Sequence, residues 1–132
     1  MSVLIELQNL KKYFETRGGM LHAVDDINMK IDKGTTMGVV GESGCGKTTL
    51  LNILSGMLKP DSGVVRLDGK DIFQMTDNER TMQRNHKIGY MTQGNSLLPE
   101  LTVWQKIVCP SELYGKKSSE DMVTALAERL GI

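Results

Sequence analysis

The sequence predicts an α/β architecture with an antiparallel piece at its front. Three observations lead there. Segments of strand character alternate with segments of helical period along most of the chain. Two apolar segments near the start flank an Arg17-Gly18-Gly19 turn. A glycine-rich octapeptide, residues 41–48, lies between a strand-like run and a helix-like one.

The elements follow in order. Residues 3–7 are short, apolar and partly β-branched, as a strand requires. In residues 23–31, Ile27, Met29 and Ile31 alternate with polar neighbours, the pattern of a half-buried strand. Lys33-Gly34 is a turn, and residues 36–40 read as a strand running into the glycine-rich loop. Residues 47–58 read as a helix that Lys59-Pro60-Asp61-Ser62-Gly63 breaks. Residues 64–67 and the following Asp68-Gly69 predict a strand entering a tight turn. Thr76 and Glu79 have capping-box spacing, which starts a helix near Asp77. Residues 88–91 read as a short buried strand, and residues 102–108 as a helix that stops before Pro110. Residues 118–130 carry Met122, Leu126 and Leu130 at helical spacing, with Gly131 as the stop.

Composition narrows the function. A chain of 132 residues fits one domain, and 39% apolar residues is ordinary for a soluble protein. Sixteen Lys and Arg balance sixteen Asp and Glu, so net charge gives no case for a nucleic-acid partner. Cys45 and Cys109 are too few for a disulfide scaffold and lack zinc-site spacing. They read as reduced thiols of a cytosolic protein. The N-terminus lacks a secretory pattern, and no run reaches the ~18–20 apolar residues that span a bilayer. Service to a membrane would therefore require docking on a separate membrane subunit.

The strongest signal is Gly41-Glu42-Ser43-Gly44-Cys45-Gly46-Lys47-Thr48, which fits G-x-x-x-x-G-K-[ST] at every fixed position. Phosphate needs many donors at close range. Glycines remove Cβ atoms and accept positive φ, so backbone N–H groups can curl around a phosphate. The helix that follows points its positive end at the same charge. Lys47 adds a point charge for the β- and γ-phosphates, and the Thr48 hydroxyl suits Mg²⁺. Thr49 closes the cofactor-binding set. Cys45 occupies a variable position and reads as a small filler.

The flanks choose among the families that share this loop. Leu10-Lys11-Lys12-Tyr13-Phe14, Ala23-Val24-Asp25-Asp26-Ile27 and residues 41–50 resemble the front of ABC-transporter ATP-binding subunits. So do residues 54–63 with Asp68-Gly69, and Ile88-Gly89-Tyr90-Met91-Thr92-Gln93 with residues 97–103. The resemblance implies a P-loop NTPase (RecA-like) core with an N-terminal antiparallel β subdomain, cut before the second half of the core. It divides the chain into an antiparallel part (1–35), a P-loop core (36–92) and a Q-loop with the start of a helical subdomain (93–132).

The resemblance also assigns roles. Phe14 falls where the family stacks an aromatic on adenine, with Tyr13 beside it as an alternative. Gln93 looks like the Q-loop glutamine, which ligates Mg²⁺, senses the γ-phosphate and joins the core to the transporter-facing region. Lys47 and Gln93 are then the catalytic candidates, and Thr48 and Gln93 the metal candidates. Leu97, Leu98 and Leu101 fall in the transporter-facing region or in a core. ATP and Mg²⁺ are the implied cofactors. A membrane-spanning transporter subunit and a second ATP-binding domain are the implied partners, at the cytoplasmic face of the membrane. The loop and its Arg17-Gly18-Gly19 insertion resemble dipeptide and oligopeptide importers, while residues 97–102 resemble exporters and lipoprotein-release ATPases; of the two, peptide import is the expectation.

No Leu-Ser-Gly-Gly-Gln segment, Walker B Asp-Glu pair or switch histidine occurs in these residues. His22 and His86 read as surface residues. Hydrolysis by this chain alone is therefore expected to be near background, with residues 36–40 left as an unpaired edge. A shortened module that binds nucleotide or a partner is the alternative. A small-molecule kinase is a further one, although Arg80 and Arg84 read as a solvated helix face.

Overall fold

The computed structural model describes residues 2–91, 94, 98–112 and 120–131. These fall into two compact units, residues 1–89 and 90–132.

In the first unit, β1 (Val3–Thr16) and β2 (Gly19–Asp32) form a long antiparallel hairpin. β3 (Ser62–Leu67) pairs antiparallel with the other edge of β1, and the short β4 (Lys70–Asp71) pairs with β3. The strand order is β2-β1-β3-β4. The Asp68-Gly69 turn has φ of 50° and 77°, the left-handed pair that a tight hairpin requires. Two helices complete the unit, α1 (Lys47–Leu54) and α2 (Asp77–Lys87). Thr76 caps α2 through the box expected from its spacing to Glu79.

Leu7, Leu10, Val24, Val65 and Leu67 from the sheet bury against Leu50 and Ile53 of α1 and Ile72. Leu10 and Ile53 have no exposure at all. Residue 7 and residue 10 share a face only because the strand slips at Asn9, which takes φ 48° as an extra residue. The Asn28 side chain accepts the Asn9 N–H at 2.9 Å and donates to the Asp26 carbonyl at 3.1 Å, pinning two irregularities together.

Charged side chains tie the loops down. Asp61 accepts from Lys12 Nζ and from the Tyr13 N–H, each at 2.7 Å, so the segment after α1 is tied to β1. Asp68 faces Lys33 Nζ at 2.8 Å and also Lys87, joining the ends of β2, β3 and α2. Those two ammonium groups, Lys33 first, hold the Asp68 carboxyl down at about 2.

In the second unit, α3 (Val103–Glu112) and α4 (Glu120–Leu130) bury Val108 and Val123. Thr102 and Gln105 exchange hydrogen bonds at the start of α3, at 2.9 and 3.2 Å. Gly131 follows α4 with φ 73°, as a helix stop requires.

Five expectations need correction. Residues 36–40 join no ladder, and Met37, Val39 and Val40 are exposed, Val40 by 95%. Residues 88–91 form no strand either, and Met91 is 92% exposed. Both runs have the continuous apolar pattern of strands buried on two faces, and such strands exist only between partners. α1 ends at Leu54 rather than residue 58, in turns where Ser55 and Gly56 donate back to Leu51 and Ile53. α3 does not stop before Pro110 but runs on to Glu112. A proline in the last turn removes one ladder donor and leaves the preceding turns intact. Arg80 and Arg84 are not on a solvated face: Arg80 lies over the Phe73 ring and Arg84 donates to the Gly56 carbonyl at 3.3 Å.

Candidate phosphate-binding loop

Residues 41–46 form a loop that turns into α1. Two residues take left-handed conformations there, Gly44 at φ 83° and Gly46 at φ 89°. Gly46 is the N-cap of α1. It has no side chain to cap the helix, and no acidic residue sits in the first turn. The first N–H groups of α1 are thus left for an anion, and their partial charge is not neutralised from within. Leu50 and Ile53 bury the opposite face of α1 in the core, which fixes where that open end points.

Lys47 folds its ammonium back over the loop. Nζ donates to the Gly41 carbonyl at 2.7 Å, to the Glu42 carbonyl at 2.5 Å and to Cys45 Sγ at 3.2 Å. The hydrogen bond from Lys47 holds the Cys45 thiol below its ordinary range. Cys45 is exposed and unbridged. Sγ also lies where a Cβ on Gly41 would approach it to 2.6 Å, so the loop closes tightly at that point. Glu42, Ser43, Gly44 and Thr48 are exposed, and Thr49 is half-buried.

The aromatic candidates separate. Tyr13 is committed: its ring stacks on His22 with centroids 4.0 Å apart, and its hydroxyl donates to Asp25 at 2.5 Å. Phe14 remains 37% exposed, with Lys12 Nζ 5.3 Å from its ring centroid. The Asp25 hydrogen bond drives the Tyr13 phenol up to about 12 from its ordinary 10. A raised folded-state value stabilises the fold below the unfolded value and stops doing so as pH climbs through the folded one. The Tyr13 contribution is therefore expected to be full below pH 10 and lost between pH 10 and about 12. Ultraviolet titration should show one tyrosine ionising late, and Asp25→Asn should return it toward 10. A late tyrosine that persists in Asp25→Asn would show that Asp25 is not the cause.

Sequence reasoning missed one contributor, Ala23. Lys12 pairs with Val24 and Tyr13 with His22, so β1 advances one residue while β2 advances two. Ala23 is the extra residue of a bulge, and its carbonyl oxygen occupies the place that a Cβ on Gly46 would need. No residue type marks such a bulge, since it follows from the register of two strands. Gln93 and Leu97 lie outside the described residues. Leu98 is exposed and Leu101 half-buried. Among the described residues no cluster of His, Cys, Asp and Glu is arranged to hold a metal. No described helix is long and apolar enough to cross a membrane.

Comparison with known proteins gives the family. The family model described as ABC transporter matches residues 24–132. The lipoprotein-releasing system ATP-binding protein LolD of Porphyromonas gingivalis is 38% identical over 97% of this chain and 56% of its own length. The methionine import ATP-binding protein MetN of Halalkalibacterium halodurans is 37% identical over 98% of this chain and 38% of its own. The chain thus spans about half the length, or less, of the curated relatives it matches. The dimeric structure of MJ0796, described as a bacterial ABC transporter cassette, aligns with a TM-score of 0.79 at 30% identity, covering 88% of this chain and 50% of that one. A second structure of MJ0796, described as a post-hydrolysis state bound to ADP and Pi, aligns at 0.80. With its phosphate-type loop on an α/β frame and a family match over most of its length, this chain belongs to the ABC transporter family.

Proposed function

We propose that the chain binds ATP with Mg²⁺ as the front part of an ABC-transporter ATPase. The observation that carries this reading is the Lys47 ammonium, held by the Gly41 and Glu42 carbonyls beside the uncapped N-terminus of α1. Those carbonyls occupy Lys47 through its hydrogen bonds alone, so the ammonium can exchange them for phosphate oxygens. The N–H groups of residues 43–48 would hold the β-phosphate, Thr48 and Thr49 would flank it, and Phe14 would carry the base. Mg²⁺ would take the Thr48 hydroxyl and, in the complete reading, Gln93. The exposed Thr48 side chain fits that role. When bound, Mg²⁺ supplies charge that offsets the phosphates.

The division at residues 35 and 92 and the roles given above to Lys47 and Gln93 belong to this proposal. So do the membrane-spanning partner, the second ATP-binding domain and a place at the cytoplasmic face of the membrane. Lipoprotein release and methionine import are what the relatives' names state, and neither relative is named a peptide importer. The Walker B pair and signature segment are absent from these 132 residues, so binding without turnover is the expected behaviour of this chain.

Titration with a fluorescent ATP analogue and Mg²⁺ tests the reading. Saturable binding, displaced by ADP and by tripolyphosphate but poorly by adenosine, is expected. Adenosine competing as well as ATP would sink the phosphate-loop assignment. Phosphate release in the same samples should stay at the level of buffer, and sustained release would refute the expectation of no turnover.

A further inference from the structure

The sheet approaches the phosphate loop closely where Ala23 of β2 faces Gly46. The bulge leaves Ala23 without a partner across the hairpin. Its carbonyl lies against Gly46, where a Cβ would sit 2.0 Å from the oxygen and 3.1 Å from the carbonyl carbon. Gly46 itself is held at φ 89°, a conformation that few other residues adopt. Immediately along the hairpin lie the His22–Tyr13 stack and the Phe14–Leu21 pair. On the far side of Gly46 is Lys47, which holds the loop carbonyls.

We infer that Ala23 is a positioning residue: its bulged carbonyl braces Gly46, so the aromatic hairpin and the phosphate loop move as one unit and base and phosphate recognition are coupled. The inference rests on the nucleotide-binding reading for its second half only. The brace itself is a property of the ligand-free chain. Bulges are frequent beside functional sites, and here the bulged residue presents its carbonyl to Gly46. The bulge sets which residue of β2 meets Gly46, and that residue is Ala23.

Two arms of one hydrogen-exchange experiment test this on the full chain. Deleting Ala23 restores a one-to-one ladder between Tyr13–His22 and Lys12–Val24, so the hairpin keeps its pairing while the brace is lost. In the ligand-free deletion variant, exchange at the Gly46 and Lys47 amides should quicken about tenfold or more, with the amides of β3 unchanged. Unchanged exchange at Gly46 and Lys47 would overturn the brace. Quickening throughout the chain would also count against it, since it would show a general loss of structure rather than a local one.

The second arm uses the unaltered chain and tripolyphosphate, which has phosphates and no base. If the two parts are coupled, tripolyphosphate should slow exchange at the loop and also at residues 22–24. Protection confined to residues 43–48 would overturn the coupling while leaving the phosphate-loop reading intact. Absence of any protection would refute the phosphate-loop reading and with it the coupling, and the first arm would still decide the brace.

Discussion

Lys47→Ala should weaken Mg²⁺–ATP binding about a hundredfold, because it removes a charge-assisted contact worth about 2–3 kcal/mol. The figure follows from what Lys47 does in the free chain and what it must do in the complex. In the free chain its ammonium already has three acceptors, the Gly41 and Glu42 carbonyls and Cys45 Sγ. Binding exchanges neutral acceptors for anionic oxygens, and bonds to charged groups are roughly twice as strong as neutral ones. The same variant removes the bonds that close the empty loop, so some loosening of residues 41–46 accompanies it. Lys47→Arg separates the two effects. It keeps the positive charge but cannot place one compact donor head on both carbonyls. Recovery of most of the affinity in Lys47→Arg would mean that charge alone matters. Affinity near that of Lys47→Ala would mean that the compact ammonium is needed. Lys47→Ala binding ATP within a factor of about three of the unaltered chain would defeat the site assignment, since so small a change is under 1 kcal/mol.

The loop was legible from sequence because its chemistry is local. Glycines, a lysine and a threonine at fixed spacing determine where donors go, and the structure places them in one turn at the head of α1. The α2 start was legible for the same reason: Thr76 and Glu79 need only each other. The antiparallel hairpin followed from alternation across a glycine turn. Residues 36–40 and 88–91 were not legible as they stand, since strand character in a sequence describes a preference and a ladder requires a neighbour. The Ala23 bulge and the Tyr13–His22–Asp25 cluster were invisible for a related reason. They depend on which residues of two strands come opposite each other, and the four slips in that register cannot be read from alternation. Phe14 was the stacker the sequence pointed to, with Tyr13 beside it as the alternative. The register makes one a partner of His22 and leaves the other half open.

Those slips also set the site where a single methyl group should do most harm to the fold. Gly63→Ala is expected to cost about 4 kcal/mol, the sum of a left-handed backbone strain of roughly 1–3 and an overpacking cost of similar size. Gly63 sits at φ 93° at the start of β3, opposite the stretch of β1 where Asn9 is the extra residue. A Cβ there would meet the Asn9 carbonyl oxygen at 2.5 Å, the Gln8 carbonyl oxygen at 2.6 Å and the Leu10 Cα at 2.7 Å. All three are backbone atoms, so no side chain can rotate aside. Relief would require β1 and β3 to part at the point where Leu10 and Val65 enter the core. Urea denaturation should show the loss as a lower midpoint at unchanged slope, if unfolding remains a single transition. A midpoint within about 0.5 kcal/mol of the unaltered chain would mean that the β1–β3 seam yields to one methyl group, and that the slip at Asn9 is not held as the register indicates.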